Sequence, residues 1–217
     1  MEDYLSEKEQ WEWLKAQLRE NLPAALAAVV VVLAGLGGWR WWQQHQDSAR
    51  LAAGTRYIGM VQALEHGDRS QALMLLGELE RSAPGSPYTD QAKLLAARVY
   101  VDGNELDKAA RELAAVAVGS KDQDLALIAR ERLARVQIAQ RQPDAALSTL
   151  KDAPPPAFAR RFHEVRGDAY FAKGDQAAAL REYRDAKRDA GTTATPLLDL
   201  KIADLSAAAN PPAAAAK

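Results

Sequence analysis

The stretch HEVRGDAYFAKGDQAAALREYRDAKRDAG, residues 163–191, reads as two short helices joined by a glycine turn. Gly167, Tyr170, Gly174, Ala179, Tyr183 and Ala186 stand at offsets 0, 3, 7, 12, 16 and 19. Each residue type has a physical reason at its place. A small residue at Gly167 lets two antiparallel helices approach closely, and Tyr170 fills the space beside it. Gly174-Asp175 makes the turn between the helices. Ala179 is the small contact on the second helix, and Tyr183 and Ala186 continue that face.

The pattern recurs towards the N-terminus. One copy has Ala134, Ala146, Leu150 and Ala153, with Gln142-Pro143-Asp144 near the turn. Another has Ala97, Tyr100, Ala109, Leu113 and Val116, turning at Asp102-Gly103-Asn104. The first has Met60, Ala63, Gly67, Ala72, Leu76 and Leu79, then Pro84. The starting positions 60, 97, 134 and 167 are separated by 37, 37 and 33 residues. These spacings resemble the tetratricopeptide repeat, whose period is about 34 residues. The surplus falls in loops at Pro84–Pro87 and Gly119–Asp122. Pro154-Pro155-Pro156 is expected to stop the second helix of the third unit. Pro196 opens a last helix, with Leu197, Leu198, Leu200, Ile202 and Leu205, that caps the exposed end. A single hairpin cannot bury its apolar face alone, so the fold expected is all-α: a solenoid of about four stacked hairpins.

The other decisive segment is Leu22–Trp39, an uncharged run of 18 residues rich in Leu, Val, Ala and Gly. About 20 residues at ~1.5 Å rise cross the ~30 Å hydrocarbon core. Trp39, Arg40, Trp41 and Trp42 close the run with the aromatic and cationic residues of a membrane interface. A cleaved signal peptide needs a basic start and small residues at the cut. Here the first 20 residues are net acidic and the run ends in Trp and Arg. An uncleaved anchor is therefore expected, with a buried soluble helix as the alternative. Flanking charge does not orient it: Lys8, Lys15 and Arg19 on one side balance Arg40, Arg50 and Arg56 on the other. Trp11, Leu14 and Leu18 form an apolar stripe in the N-terminal segment. It suits either a helix lying at the membrane surface or a plain extension of the anchor.

The expected organisation is a short N-terminal segment over 1–21, a transmembrane helix over 22–42, the repeat domain over 43–209 and a disordered tail over 210–217. With no Cys, disulfides and thiol chemistry are excluded. Residues 43–217 hold 23 acids and 24 bases, so long-range capture of nucleic acid is not expected. His45, His66 and His163 form no metal-binding spacing, and there is no phosphate-binding glycine loop or nucleophile elbow. No cofactor and no catalytic residue is expected. His66 and His163 are assigned to a turn and a helix start. Arg130, Arg132, Arg135 and Arg141, with Arg160, Arg161 and Arg166, are interleaved with acids and read as a solvated, ion-paired face. A basic groove for an acidic partner is the other reading. Repeat geometry places Arg161, Glu164, Asp168 and Phe171 on the inner face as partner-binding residues.

The order of parts resembles the YfgM-like family of ancillary SecYEG translocon subunits. The likeness is carried by Gly38-Trp-Arg-Trp-Trp42 with His45-Gln46 and Ser48-Ala-Arg50, and by Asn104-Glu-Leu-Asp-Lys-Ala-Ala110. Arg132-Leu-Ala-Arg-Val-Gln137, Asp144-Ala-Ala-Leu147, Arg166-Gly167 and Lys173-Gly-Asp175 extend it, while Pro211 to Lys217 departs. The resemblance implies a cytoplasmic N-terminus, one inner-membrane anchor in the lipid bilayer and a periplasmic repeat domain. It also implies partners: the SecYEG translocon, a PpiD-type periplasmic chaperone and exported polypeptides. The function expected is a non-enzymatic adaptor. A cell-envelope scaffold, or a stress-response regulator acting through residues 1–21, are the alternatives.

Overall fold

The computed structural model describes residues 7–209; the expected tail over 210–217 lies outside them. Among the described residues every regular element is an α-helix. These are α1 (Glu7–Glu65), α2 (Arg69–Ser82), α3 (Pro87–Asp102), α4 (Leu106–Gly119) and α5 (Gln123–Ala139). Then come α6 (Pro143–Thr149), α7 (Pro156–Ala172), α8 (Gln176–Asp189) and α9 (Pro196–Ala209). The chain divides into two compact units between Ala52 and Ala53.

In the first unit, α1 carries a stretch long and apolar enough to cross a membrane. Leu26, Val29 to Leu33, Leu36, Trp39, Trp41 and Trp42 all stand more than half exposed. Gly35, Gly37 and Gly38 have open space where a side chain would project. A helix apolar all round is stable only when something covers it. The described side chains of this stretch are exposed, as expected of a membrane span and not of a buried core helix. Trp39 and Trp42 lie with ring centroids 5.7 Å apart at its end. Near the start of α1, Trp11 is exposed beneath the Lys15 ammonium, 5.5 Å away; the side chains of Leu14 and Leu18 lie outside the described residues.

In the second unit the end of α1 pairs with α2, α3 with α4, α5 with α6 and α7 with α8. The first helices of successive pairs also touch, α3 on α5 and α5 on α7, as a solenoid requires. Register is fixed by a turn repeated four times. Gly67, Asn104, Arg141 and Gly174, each at offset 7, take positive φ of 75°, 56°, 61° and 82°. Their N–H groups bond the carbonyls three back, of Leu64, Val101, Ile138 and Phe171, at 2.9–3.0 Å. The next N–H groups, of Asp68, Glu105, Gln142 and Asp175, reach five back to Ala63, Tyr100, Gln137 and Tyr170 at 2.7–3.0 Å. This double bond pattern satisfies the last carbonyls of a helix. It also sets the entry of the next helix, because Asp68 and Asp175 then accept from Gln71 and Ala178 N–H as N-caps.

The inward positions follow the same ruler. Ala72, Ala109, Ala146 and Ala179, at offset 12, are fully buried. So, nearly, are Leu76, Leu113, Leu150 and Tyr183 at offset 16, facing Met60, Ala97, Ala134 and Gly167 at offset 0. Burying one such leucine contributes about 1.5–3 kcal/mol. In α9, Leu198 and Leu205 pack on Tyr183 and Ala186, the capping contact expected.

Three local expectations fail. α6 ends at Thr149, well before the triple proline, and Pro156 instead opens α7, where a missing N–H costs nothing. Ala153 is consequently an exposed loop residue, not a core contact. His163 sits in the middle of α7 rather than at a helix start. The turn read at Asp102-Gly103-Asn104 is present, with Gly103 at φ −86° and Asn104 in the left-handed position.

Candidate protein-binding groove

The first helices of the pairs present their inner faces side by side. Offset 4 gives an aliphatic and aromatic column of Leu64, Val101, Ile138 and Phe171; offset 1 gives Val61, Arg98, Arg135 and Asp168. Of the residues expected to bind a partner, Arg161 and Phe171 are exposed, Phe171 by 50%. Glu164 and Asp168 are half-buried and engaged within the chain. Asp168 accepts from the Tyr183 hydroxyl at 2.7 Å and from Lys201 Nζ, on α9, at 2.6 Å. Glu164 lies 3.5 Å from the same ammonium and 3.7 Å from Arg160. Burial, and then the bond to Asp168, pushes the Tyr183 hydroxyl well above the ordinary phenol range. The four residues thus share one face, but the capping helix neutralises its acidic middle.

The other inner-face arginines divide. Arg135 donates to Glu131 at 2.6 Å, and Arg98 stands 3.8 Å from Asp102 with both side chains largely exposed. Elsewhere Arg130 lies 4.0 Å from Asp152, and Arg166 3.3 Å from Glu182. Arg132, Arg141 and Arg161 form no ion pair among the described residues. The ion-paired face read from the sequence is therefore present for part of the set only. His163 lies beside it. Its Nδ1 is 2.7 Å from Glu182 and its Nε2 3.6 Å from Asp189, tying α7 to α8.

Sequence reasoning overlooked an apolar opening on this face. A cleft of about 350 Å³ lies between α3 and α5 over α4, floored by Leu94, Ala97, Leu106, Leu113 and Val136. Leu95, Val101 and Ala139 complete its apolar wall, and Arg98, Arg132 and Arg135 edge it. Laying the second and third repeats over each other was the signal available. Arginines then recur beside apolar positions on the inner face. A second cleft, lined by Val61, Leu64, Leu95 and Val99, adjoins it and is edged by Glu65, Arg98 and Asp102. Among the described residues no group of three His, Cys, Asp or Glu side chains is placed to hold a metal ion.

One helix long and apolar enough to cross a membrane, joined to a solenoid of stacked helical hairpins, defines a tetratricopeptide-like repeat protein with a candidate membrane anchor. Residues 15–207 match the family of the tetratricopeptide repeat-like domain. The ancillary SecYEG translocon subunit of Escherichia coli K12 is 34% identical over 95% of this chain and 100% of its own length. The proteins of that name from Aggregatibacter actinomycetemcomitans and Haemophilus influenzae are 26% and 25% identical, each over 93% of this chain and 98% of their own. The chain belongs to this family of ancillary SecYEG translocon subunits. Among solved structures, a double mutant of MamA from RS-1 superposes with a TM-score of 0.52 at 15% identity. It covers 73% of this chain and 96% of that one, a likeness of fold alone.

Proposed function

We propose that this protein is a non-enzymatic adaptor at the Sec translocon of the inner membrane. Residues 1–21 face the cytoplasm, 22–42 cross the bilayer, and the repeat domain over 43–209 faces the periplasm. The anchor, edged by Trp39, Arg40, Trp41 and Trp42, makes lateral contact with the channel. The solenoid offers its inner face, Arg161 and Phe171 included, to exported polypeptides and to a chaperone of the PpiD type. The observation that carries the reading is end-to-end similarity to translocon subunits, over the anchor as well as the repeats. An open, partly apolar groove supports it, since transient capture of many chains needs shape and apolar area more than a single specific bond.

Affinity purification from native membranes in mild detergent tests the proposal. The expected result is recovery of the channel subunits together with a membrane-anchored periplasmic chaperone. Their absence, with the protein itself intact, overturns it. Protease added outside spheroplasts should digest the repeat domain and spare an epitope placed at the N-terminus.

A further inference from the structure

The cleft between α3, α4 and α5 carries a chemical signature that the rest of the groove lacks. Its floor is aliphatic throughout, from Leu94, Ala97, Leu106, Leu113 and Val136. Its rim holds three arginines, and no carboxylate is among the lining residues. At about 350 Å³ it lies at the small end of ligand pockets, which run from ~300 to ~1,000 Å³. It therefore suits one or two aliphatic side chains rather than a folded surface.

The three guanidinium groups are not equally free. Arg135 is committed to Glu131 at 2.6 Å, and Glu131 is itself buried. Arg98 is held loosely, at 3.8 Å from an exposed Asp102, a pairing of little energetic weight. Arg132 is exposed and forms no ion pair among the described residues. A carboxylate arriving beside the cleft meets one unengaged arginine and one that exchanges partners at small cost. Arg presents a fork of donors that matches a carboxylate in two places. At the far end of the trough the sign reverses, with Glu65 and Asp102 edging the adjoining cleft. An acidic residue is thus favoured over α5 and disfavoured towards α1.

We infer that the α3–α4–α5 cleft is a docking site for a polypeptide segment presenting a leucine-sized aliphatic side chain next to an acidic one, which Arg132 receives. The inference rests on the adaptor reading and narrows it: the chains captured most tightly are those with apolar–acidic stretches.

The test uses full-length protein in nanodiscs of zwitterionic lipid and three short fluorescein-labelled peptides in a Gly/Ser frame. One alternates leucine with aspartate, one leucine with lysine, and one serine with aspartate; empty nanodiscs are the control. Anisotropy titrations should show the leucine–aspartate peptide binding about tenfold more tightly than either other peptide. Arg132→Glu should weaken that peptide about tenfold and narrow or reverse the gap to the lysine peptide. Val101→Ser, at an exposed lining position, should weaken both leucine peptides alike. Equal binding of all three peptides, no binding of any, or an Arg132→Glu protein with unchanged preference overturns the inference. The adaptor reading fails differently. Arg132→Glu protein should still co-purify with the channel through its anchor, and loss of that association in the unaltered protein would sink the parent reading while leaving the peptide result standing.

Discussion

Arg141 occupies a backbone conformation that suits glycine, and the same position in the flanking copies shows what that costs. At offset 7 the outer repeats have Gly67 and Gly174, while the inner ones have Asn104 and Arg141. A side chain in the left-handed region costs about 1–2 kcal/mol, though glycine returns part of this through its looser unfolded chain. Arg141→Gly should therefore stabilise the domain by ~0.5–1 kcal/mol, and Gly174→Ala should destabilise it by ~1–2 kcal/mol, read by urea unfolding. Gly167 answers to a different constraint. A Cβ there would stand 2.5 Å from Tyr183 Cδ1, a ring buried and tied to Asp168. Gly167→Ala should cost ~1–3 kcal/mol. The other repeats pair a larger residue at offset 0 with a leucine at offset 16. Adding Tyr183→Leu should then cost less than it does alone, by at least ~0.5 kcal/mol in a double-mutant cycle. Additive effects would reject the contact. Glu112, on α4, has its carboxyl pushed above the ordinary value of 4.5 by burial and then by Glu80 on α2. The folded protein thus binds that proton more tightly than the unfolded chain does. The cost of ionising it is present at neutral pH and disappears as pH falls through the raised folded value to 4.5. Glu112→Gln should raise Tm at neutral pH, and by progressively less towards pH 4.5.

At the scale of single helices, α1 and α6 are the informative extremes. α1 runs unbroken from Glu7 to Glu65, so one element serves both the anchor and the first hairpin. Its middle has exposed apolar side chains on every side. The full-length protein should stay with membranes through alkaline carbonate extraction, whereas deletion of residues 22–42 should release a soluble helical domain. A Val31→Lys change, near the bilayer centre, adds about 2.5–3.5 kcal/mol to the cost of insertion and should lower the membrane-integrated fraction. α6 is short because Leu150 already completes the offset-16 contact, and the chain then turns towards the prolines that open α7. Caps differ in the same graded way. Asp175 bonds the Ala178 N–H, while Glu105 and Gln142 make no such bond.

Across the whole repeat domain, stability is expected to be shared between neighbours, because each hairpin's core is completed by the next. Leu198 and Leu205 of α9 complete the burial of Tyr183 and Ala186, and Lys201 closes the Glu164–Asp168 pair. Truncation after Ala194 should expose that face, leaving Asp168 without its cation and Glu164 with Arg160 alone. Hydrogen exchange should then quicken in α7 and α8 while α2 to α4 keep their protection. Uniform loss of protection along the domain would show that it unfolds as one unit rather than repeat by repeat. The groove residues follow the same logic. Asp168 and Glu164 are bound inward by the cap, so Phe171, Arg161 and the cleft around Arg132 are the parts of the proposed binding face that stay exposed.

The sequence alone determined the all-helical class, the anchor and the repeat register. Those features are written in spacing: an apolar run the length of a bilayer, and small residues recurring at offsets 0 and 12. It also showed which residues share the inner face, since one helical period places Glu164, Asp168 and Phe171 together. Only the tertiary structure decided which of them remain available. That depends on Lys201, 33 residues beyond Asp168, arriving with α9. It also decided that Asn104 takes the left-handed position of its turn, and that Ala153 leaves the core. Above all it placed an uncharged floor and an unengaged arginine side by side between α3 and α5. No local pattern encodes that meeting, because the cleft is the gap left between helices from two different repeats.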